Sequence, residues 1–190
     1  MPASSLDPRT ALVLIDLQNG ILAMPTLTPA AEILKQGTRL TRAFRARELP
    51  VVFVRVGWSA DGGDLPAGRS DAGRLESAPP AAFSEFPSEL GVQDGDIVIT
   101  KRHWGAFTGT ELDLQLRRRG VTQIVLAGIA TSIGVESTAR SAYELGYHLT
   151  IVEDATTDTN AEAHANSFKS IFPRLCEVDT TDRVIELLAG

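Results

Sequence analysis

Six apolar runs separated by helical stretches constrain this chain more than any other feature. The first, Ala11-Leu-Val-Leu-Ile15, is apolar at every position. A strand apolar on both faces belongs inside a parallel sheet, where helices cover both of its sides. Further runs lie at Pro50–Val56, Asp96–Thr100, Gln123–Ala127 and His148–Val152, with a short one at Cys176–Val178. Helical patterns fill the gaps. Thr28 caps a helix that has Pro29 at its first position, presents Ile33, Leu40 and Phe44 on one face and runs to about Leu49. Thr110–Gly120 is a capped helix, basic in its last turn and stopped by glycine. Ser137–Leu145 ends at Gly146, Asn160–Phe172 ends at Pro173, and Thr180 or Thr181 caps a last helix to Leu188. Strict alternation of strand and helix means right-handed crossovers. The expected fold is a three-layer α/β/α domain over residues 1–190 with a six-stranded, mainly parallel sheet.

Residues 57–95 break the pattern. Gly, Pro, Ser, Ala and Asp dominate them, and the stretch is too long for a simple connection. A lid, an oligomer contact and a plain surface loop all fit.

Bulk composition excludes several classes of function. Of 190 residues, 43% are hydrophobic and 22% charged, which suits a folded domain. No apolar run approaches bilayer length. The net charge of −6 and the lack of any basic cluster beyond Arg117-Arg118-Arg119 argue against nucleic acid as a partner. The first residues have no apolar signal core, so a cytoplasmic location is expected. A single cysteine, Cys176, allows no intrachain disulfide, and its inert reading is a buried thiol. The three histidines, His103, His148 and His164, show no metal-ligand spacing, so no metal and no other cofactor is expected.

Chemistry-bearing residues cluster after strands. Asp16 follows the first run, Lys101 the third, and Gly128-Ile-Ala-Thr-Ser-Ile-Gly134 links the fourth to a helix. In open α/β sheets ligands bind beyond the carboxyl ends of strands, where free N–H groups and helix dipoles point. Each feature also has a bland reading: a turn aspartate, a solvated lysine, an ordinary glycine loop.

Taken in order, Leu14-Ile-Asp-Leu-Gln-Asn-Gly20, Thr100-Lys101, Ala106-Phe107, Thr110-Glu-Leu112, Gly128–Arg140 and Asp154-Ala155 resemble the isochorismatase-like (cysteine hydrolase) superfamily over nearly the whole chain. The resemblance implies hydrolysis of a small molecule, with Asp16 as acid or base and Lys101 beside it. It also implies a cis peptide at Ile129–Ala130, turning the N–H of Ala130 toward that of Gly134 as an oxyanion hole. One departure is clear. The amidase branches carry their nucleophilic cysteine where this chain has Gly134, so no covalent enzyme intermediate can form there. Isochorismatases also carry glycine at that place and hydrolyse a vinyl ether without covalent catalysis. Three readings stay open: non-covalent hydrolysis of another small molecule, isochorismatase activity proper, and a silent relative that binds a ligand or builds an oligomer.

Gln18, Arg102, Trp104, Phe107, Thr131 and Ser132 are the candidate substrate contacts. Gln18 can orient water or bond backbone. Arg102 suits a carboxylate. Trp104 and Phe107 suit an apolar wall. Thr131 and Ser132 are hydroxyls without a histidine near them in sequence. Glu136, Ser137 and Arg140 open the following helix, where capping accounts for the first two. His103 is the one histidine beside the site. The resemblance further implies a homo-oligomer, a dimer or tetramer.

Overall fold

The computed structural model describes residues 1–71, 73 and 75–190. Six strands, β1 (Thr10–Ile15), β2 (Val51–Val56), β3 (Ile97–Lys101), β4 (Gln123–Ile129), β5 (His148–Thr157) and β6 (Glu177–Asp179), form one sheet in the order β3-β2-β1-β4-β5-β6. Every pairing is parallel. The chain starts in the middle, builds outward to β3, then returns to place β4 on the other side of β1. That reversal puts a crevice beyond the carboxyl ends of β1 and β4.

The fully apolar first strand serves two cores. Ala11, Val13 and Ile15 face one side with Leu112, Leu116, Ala139 and Phe172. Leu12 and Leu14 face the other with Ile33, Leu40, Phe44 and Val184. Helices α2 (Ala30–Ala46) and α6 (Thr181–Ala189) cover the second face. Helices α3 (Leu112–Arg118) and α4 (Glu136–Glu144) cover the first. A short helix α1 (Asn19–Leu22), absent from the sequence reading, follows β1, and α5 (Ala161–Asn166) follows β5.

Several boundaries differ from expectation for local reasons. Thr28 does not cap α2. Its N–H donates to Thr157 Oγ1 and its C=O accepts from Thr26, while Pro29 takes an extended conformation and becomes the cap residue itself. The helix ends at Ala46, and Glu48 turns the chain with a positive φ of 55°. Helix α3 starts at Leu112, where Thr110 accepts its N–H, and the C-terminal stop sits at Gly120 with φ 66°. Strand β5 runs five residues past Val152, alongside β4 as far as Ile129. That extension follows a register shift at Gly128. A Cβ there would lie 2.1 Å from the Ile15 carbonyl oxygen, so only glycine lets β4 press this close to β1. The expected helix 160–172 splits into α5, a π turn at Ser167–Ile171 and a 3₁₀ turn at Phe172–Arg174. Asn160 caps it by accepting the Ala163 N–H.

The segment 57–95 contains two 3₁₀ turns, Ala81–Ser84 and Ser88–Leu90. Residues 72 and 74 lie outside the described residues. Among those described, no helix is long and apolar enough to cross a membrane.

Candidate active site

Asp16 is the first residue after β1. Its N–H makes the last ladder bond, to Val54 O at 2.8 Å, and its φ of 54° then turns the chain out of the strand. A positive φ outside glycine is uncommon, and aspartate tolerates it better than most. The turn directs the carboxyl sideways beneath neighbouring strand ends instead of into solvent. Lys101 ends β3, two strands away, and its stem spans the end of β2. The ammonium Nζ donates to Asp16 Oδ2 at 2.7 Å and to His103 O at 3.2 Å. Asp16 is 5% exposed and Lys101 2%. Burial pushes the Asp16 carboxyl up from 3.8 to about 6, and the Lys101 cation offsets only part of that rise. Oδ1 of Asp16 is buried with no hydrogen-bond partner among the described residues. An unpaired buried carboxylate oxygen is costly, and in a native fold it asks for an explanation.

A cavity of about 750 Å³ opens over this pair. Asp16 and Lys101 line its base, and Trp58, Leu75, Trp104 and Ile133 supply apolar wall. The turn from β4 to α4 adjoins the cavity: Ile133 lines it, whereas Ala130 and Gly134 lie beneath the lining. The Ile129–Ala130 peptide is cis, as the resemblance implies. A π turn over Thr131–Val135 follows, in which the Val135 N–H donates to Ala130 O at 3.1 Å, and α4 continues from it. Gly134 sits in this turn against Asp16. A Cβ at 134 would lie 3.4 Å from Asp16 Oδ2 and 2.9 Å from Ile15 Cγ2. The position that the resemblance assigns to a nucleophile therefore lies against the carboxyl, and as a glycine it carries no thiol.

The other candidates separate clearly. Arg102 lines the cavity, its Nε held by Asp64 Oδ2 at 2.5 Å. Trp104 lines it and is 67% exposed. Gln18 does not reach the cavity. Its Oε1 accepts the Val56 N–H at 2.7 Å and its Nε2 donates to Val56 O and Phe83 O at 2.9 and 3.0 Å. The amide takes the place of a strand neighbour for β2 where β1 has already turned away, and both its hydrogens are used. Phe107 packs into the first core beside Tyr147 and does not line the cavity. Ser132 also points away, its N–H and Oγ donating to Asp158 Oδ2 at 2.7 and 2.8 Å.

Thr131 has a partner that its sequence neighbourhood does not show. A histidine does stand beside it: His164 Nδ1 lies 2.8 Å from its Oγ1, across 33 residues of sequence. The hydroxyl is nonetheless fully buried and outside the cavity, so no substrate carbonyl can reach it. Glu136 pairs with Arg140 and accepts from Ser167, with no capping bond. His103 lines the cavity, whereas His148 begins β5 near Asp7. Cys176 is remote. Its thiol donates to Phe172 O at 3.3 Å, and burial pushes its pKa up to about 12.

Sequence reasoning missed Trp58 and the α4 residues Ser137 and Ser141 as cavity lining. Their helical spacing of four was visible, but nothing local says that this face of α4 meets the crevice. Among the described residues, no three His, Cys, Asp or Glu side chains converge as a metal site.

Residues 10–183 match the Isochorismatase domain family. An uncharacterized isochorismatase family protein, YecD of Escherichia coli O157:H7, is 48% identical over 180 residues, covering 94% of this chain and 96% of that protein. The solved structure of an isochorismatase family protein from Burkholderia thailandensis superposes with a TM-score of 0.95 at 45% identity, covering 98% of each chain. The ureidoacrylate amidohydrolase RutB of Variovorax paradoxus is 32% identical over 180 residues, covering 81% of this chain and 71% of that enzyme. With the family match over residues 10–183, the near-complete superposition and the buried aspartate–lysine pair at the sheet's switch point, the chain belongs to the isochorismatase family of hydrolases.

Proposed function

We propose that the chain hydrolyses a small amide- or carbamoyl-type molecule without a covalent enzyme intermediate. The observation that carries this reading is the free Oδ1 of Asp16, buried at the cavity base while Oδ2 is held by Lys101. A carboxylate kept ionised by a lysine, with one oxygen unpartnered, is a general base waiting for a water proton. The water oxygen attacks the carbonyl carbon and its proton passes to Asp16 Oδ1. The N–H groups of Ala130 and Gly134 take the developing oxyanion. The C–N bond then breaks as Asp16 returns the proton to the leaving nitrogen. Glycine at 134 leaves the place of a thiol to the water. The likeness to a ureidoacrylate amidohydrolase supports an amide-type carbonyl.

The raised Asp16 pKa favours a second reading. A carboxyl titrating near 6 keeps a protonated fraction at neutral pH, which suits isochorismatase proper: Asp16 protonates the enol-ether carbon and water adds to the oxocarbenium ion.

A panel of amides, carbamates and vinyl ethers including isochorismate separates the readings. Amide turnover that falls about 10²–10⁴-fold in Asp16→Asn, and survives Cys176→Ser, is the expected result. Turnover of vinyl ethers alone favours the second reading. Turnover of nothing leaves a silent ligand-binding or oligomer-building relative. Location in the cytoplasm and assembly as a dimer or tetramer remain part of this proposal, the latter checked by light scattering.

A further inference from the structure

The turn that faces the cavity is held from behind by side chains that the hydrolytic reading does not use. Asp158, 1% exposed, is the first residue after β5. Its Oδ2 accepts both the N–H and the Oγ hydrogen of Ser132, and its Oδ1 accepts the N–H groups of Thr159 and Asn160 at 2.7 and 3.0 Å. His164, on α5, meets Thr131 through Nδ1 and packs its ring on Phe168 at 4.8 Å. Ser167 donates to Glu136 Oε2 at 2.6 Å. For Thr131 Oγ1 the contact with His164 is its one hydrogen bond among the described residues. A buried hydroxyl hydrogen needs an acceptor, so the Thr131 O–H donates to Nδ1 and the ring hydrogen of His164 sits on Nε2.

The consequence appears on the other side of the turn. Gly134, three residues on, packs against Asp16 closely enough that an added Cβ would touch Oδ2. A shift of the turn by a fraction of an ångström would change how closely Gly134 covers the carboxyl and re-aim the amide hydrogens of residues 130 and 134.

We propose that Asp158 and His164 are positioning residues: acting through Ser132 and Thr131, they seat the 130–134 turn against Asp16, and so set both the burial of that carboxyl and the geometry of the candidate oxyanion hole. The kinetic half of this inference rests on the hydrolytic reading, while the structural half stands on the contacts alone.

The test compares Thr131→Val, which removes the hydroxyl at nearly constant shape, with Thr131→Ser, which keeps it, and adds Asp158→Asn. The Asp16 carboxyl is titrated by ¹³C NMR in each folded variant. Thr131→Val and Asp158→Asn are expected to move its midpoint from about 6 toward the ordinary carboxylate value of ~4, and Thr131→Ser to leave it in place. With an amide substrate, the first two lower kcat about 10- to 100-fold at nearly unchanged KM, and Thr131→Ser restores the rate. An unmoved Asp16 midpoint in folded Thr131→Val overturns the inference. If Asp158→Asn does not fold, the Thr131 pair decides. If the wild type turns over nothing, the hydrolytic reading has failed on its own and the titration alone judges the clamp.

Discussion

The two sides of the β4–α4 turn are built on opposite principles. Behind it, the Asp158 carboxylate receives four donors, Thr131 pairs with His164, and Ser167 pairs with Glu136. In front, a buried carboxylate has one oxygen on a lysine and the other without a partner among the described residues. Both regions bury charge, but only the rear satisfies it. The difference teaches where stability is spent: a polar network pays off when complete, and an incomplete one is tolerated where a substrate or water completes it.

Breaking the front pair should give the largest effect. Asp16→Asn leaves the Lys101 ammonium buried without a counter-charge, and Lys101→Met leaves the carboxylate alone. Each is expected to cost about 3–5 kcal/mol in denaturant unfolding, whereas the double variant Asp16→Asn/Lys101→Met should return to within about 1 kcal/mol of wild type or exceed it. A double variant as unstable as the singles would mean that the front contributes stability as the rear does, and the contrast would fall.

Filling the space beside Gly134 sharpens the contrast at a smaller scale. Gly134→Ala puts a methyl group 2.9 Å from Ile15 Cγ2. Ile15 is fully buried and β-branched, so it has little freedom to move. Overpacking of this kind should cost about 1–3 kcal/mol and lower turnover by crowding the water beside Asp16. Thermal melts and steady-state rates on the same samples measure both.

The smallest effect is a pH slope. If Asp16 acts as base, kcat/KM for an amide should fall about tenfold per unit below pH 6, as protonation removes the base. The acid reading predicts the opposite limb, with activity falling above 6. Stability carries its own sign. Folding raises the Asp16 pKa from 3.8 to about 6, so the folded state binds more protons than the unfolded chain between those values. The resulting stabilisation is complete below 3.8 and is lost as pH rises through 6. Asp16→Asn/Lys101→Met should lack that slope when unfolding is followed from pH 4 to 7.

How far the chain could be read without coordinates depended on distance along it. The run Ala11–Ile15 announced a central strand because both faces needed cover, and the two cores either side of β1 supply it. Asp16, Lys101 and Gly134 were identified by their places at strand ends and by family likeness. Thr28 misled because its N–H was claimed by Thr157 Oγ1, 129 residues on. For Gln18 the choice between substrate and backbone stays open in sequence, because nothing near it shows that β2 outruns β1 and has no β1 neighbour at Val56. His164 was set aside because the turn it supports lies in another element.

The sequence by itself determined the alternation of strand and helix, and with it which residues stand beyond carboxyl ends. Periodicity and capping are local, and burial on both faces is written in a single strand. Tertiary structure alone decided the partnerships: that Lys101 crosses β2 to reach Asp16, 85 residues away, that Asp16 keeps one oxygen free, and that α5 docks His164 behind Thr131. Those outcomes depend on strand order, register and the close passage of β4 over Ile15 at Gly128, which no window of neighbouring residues contains.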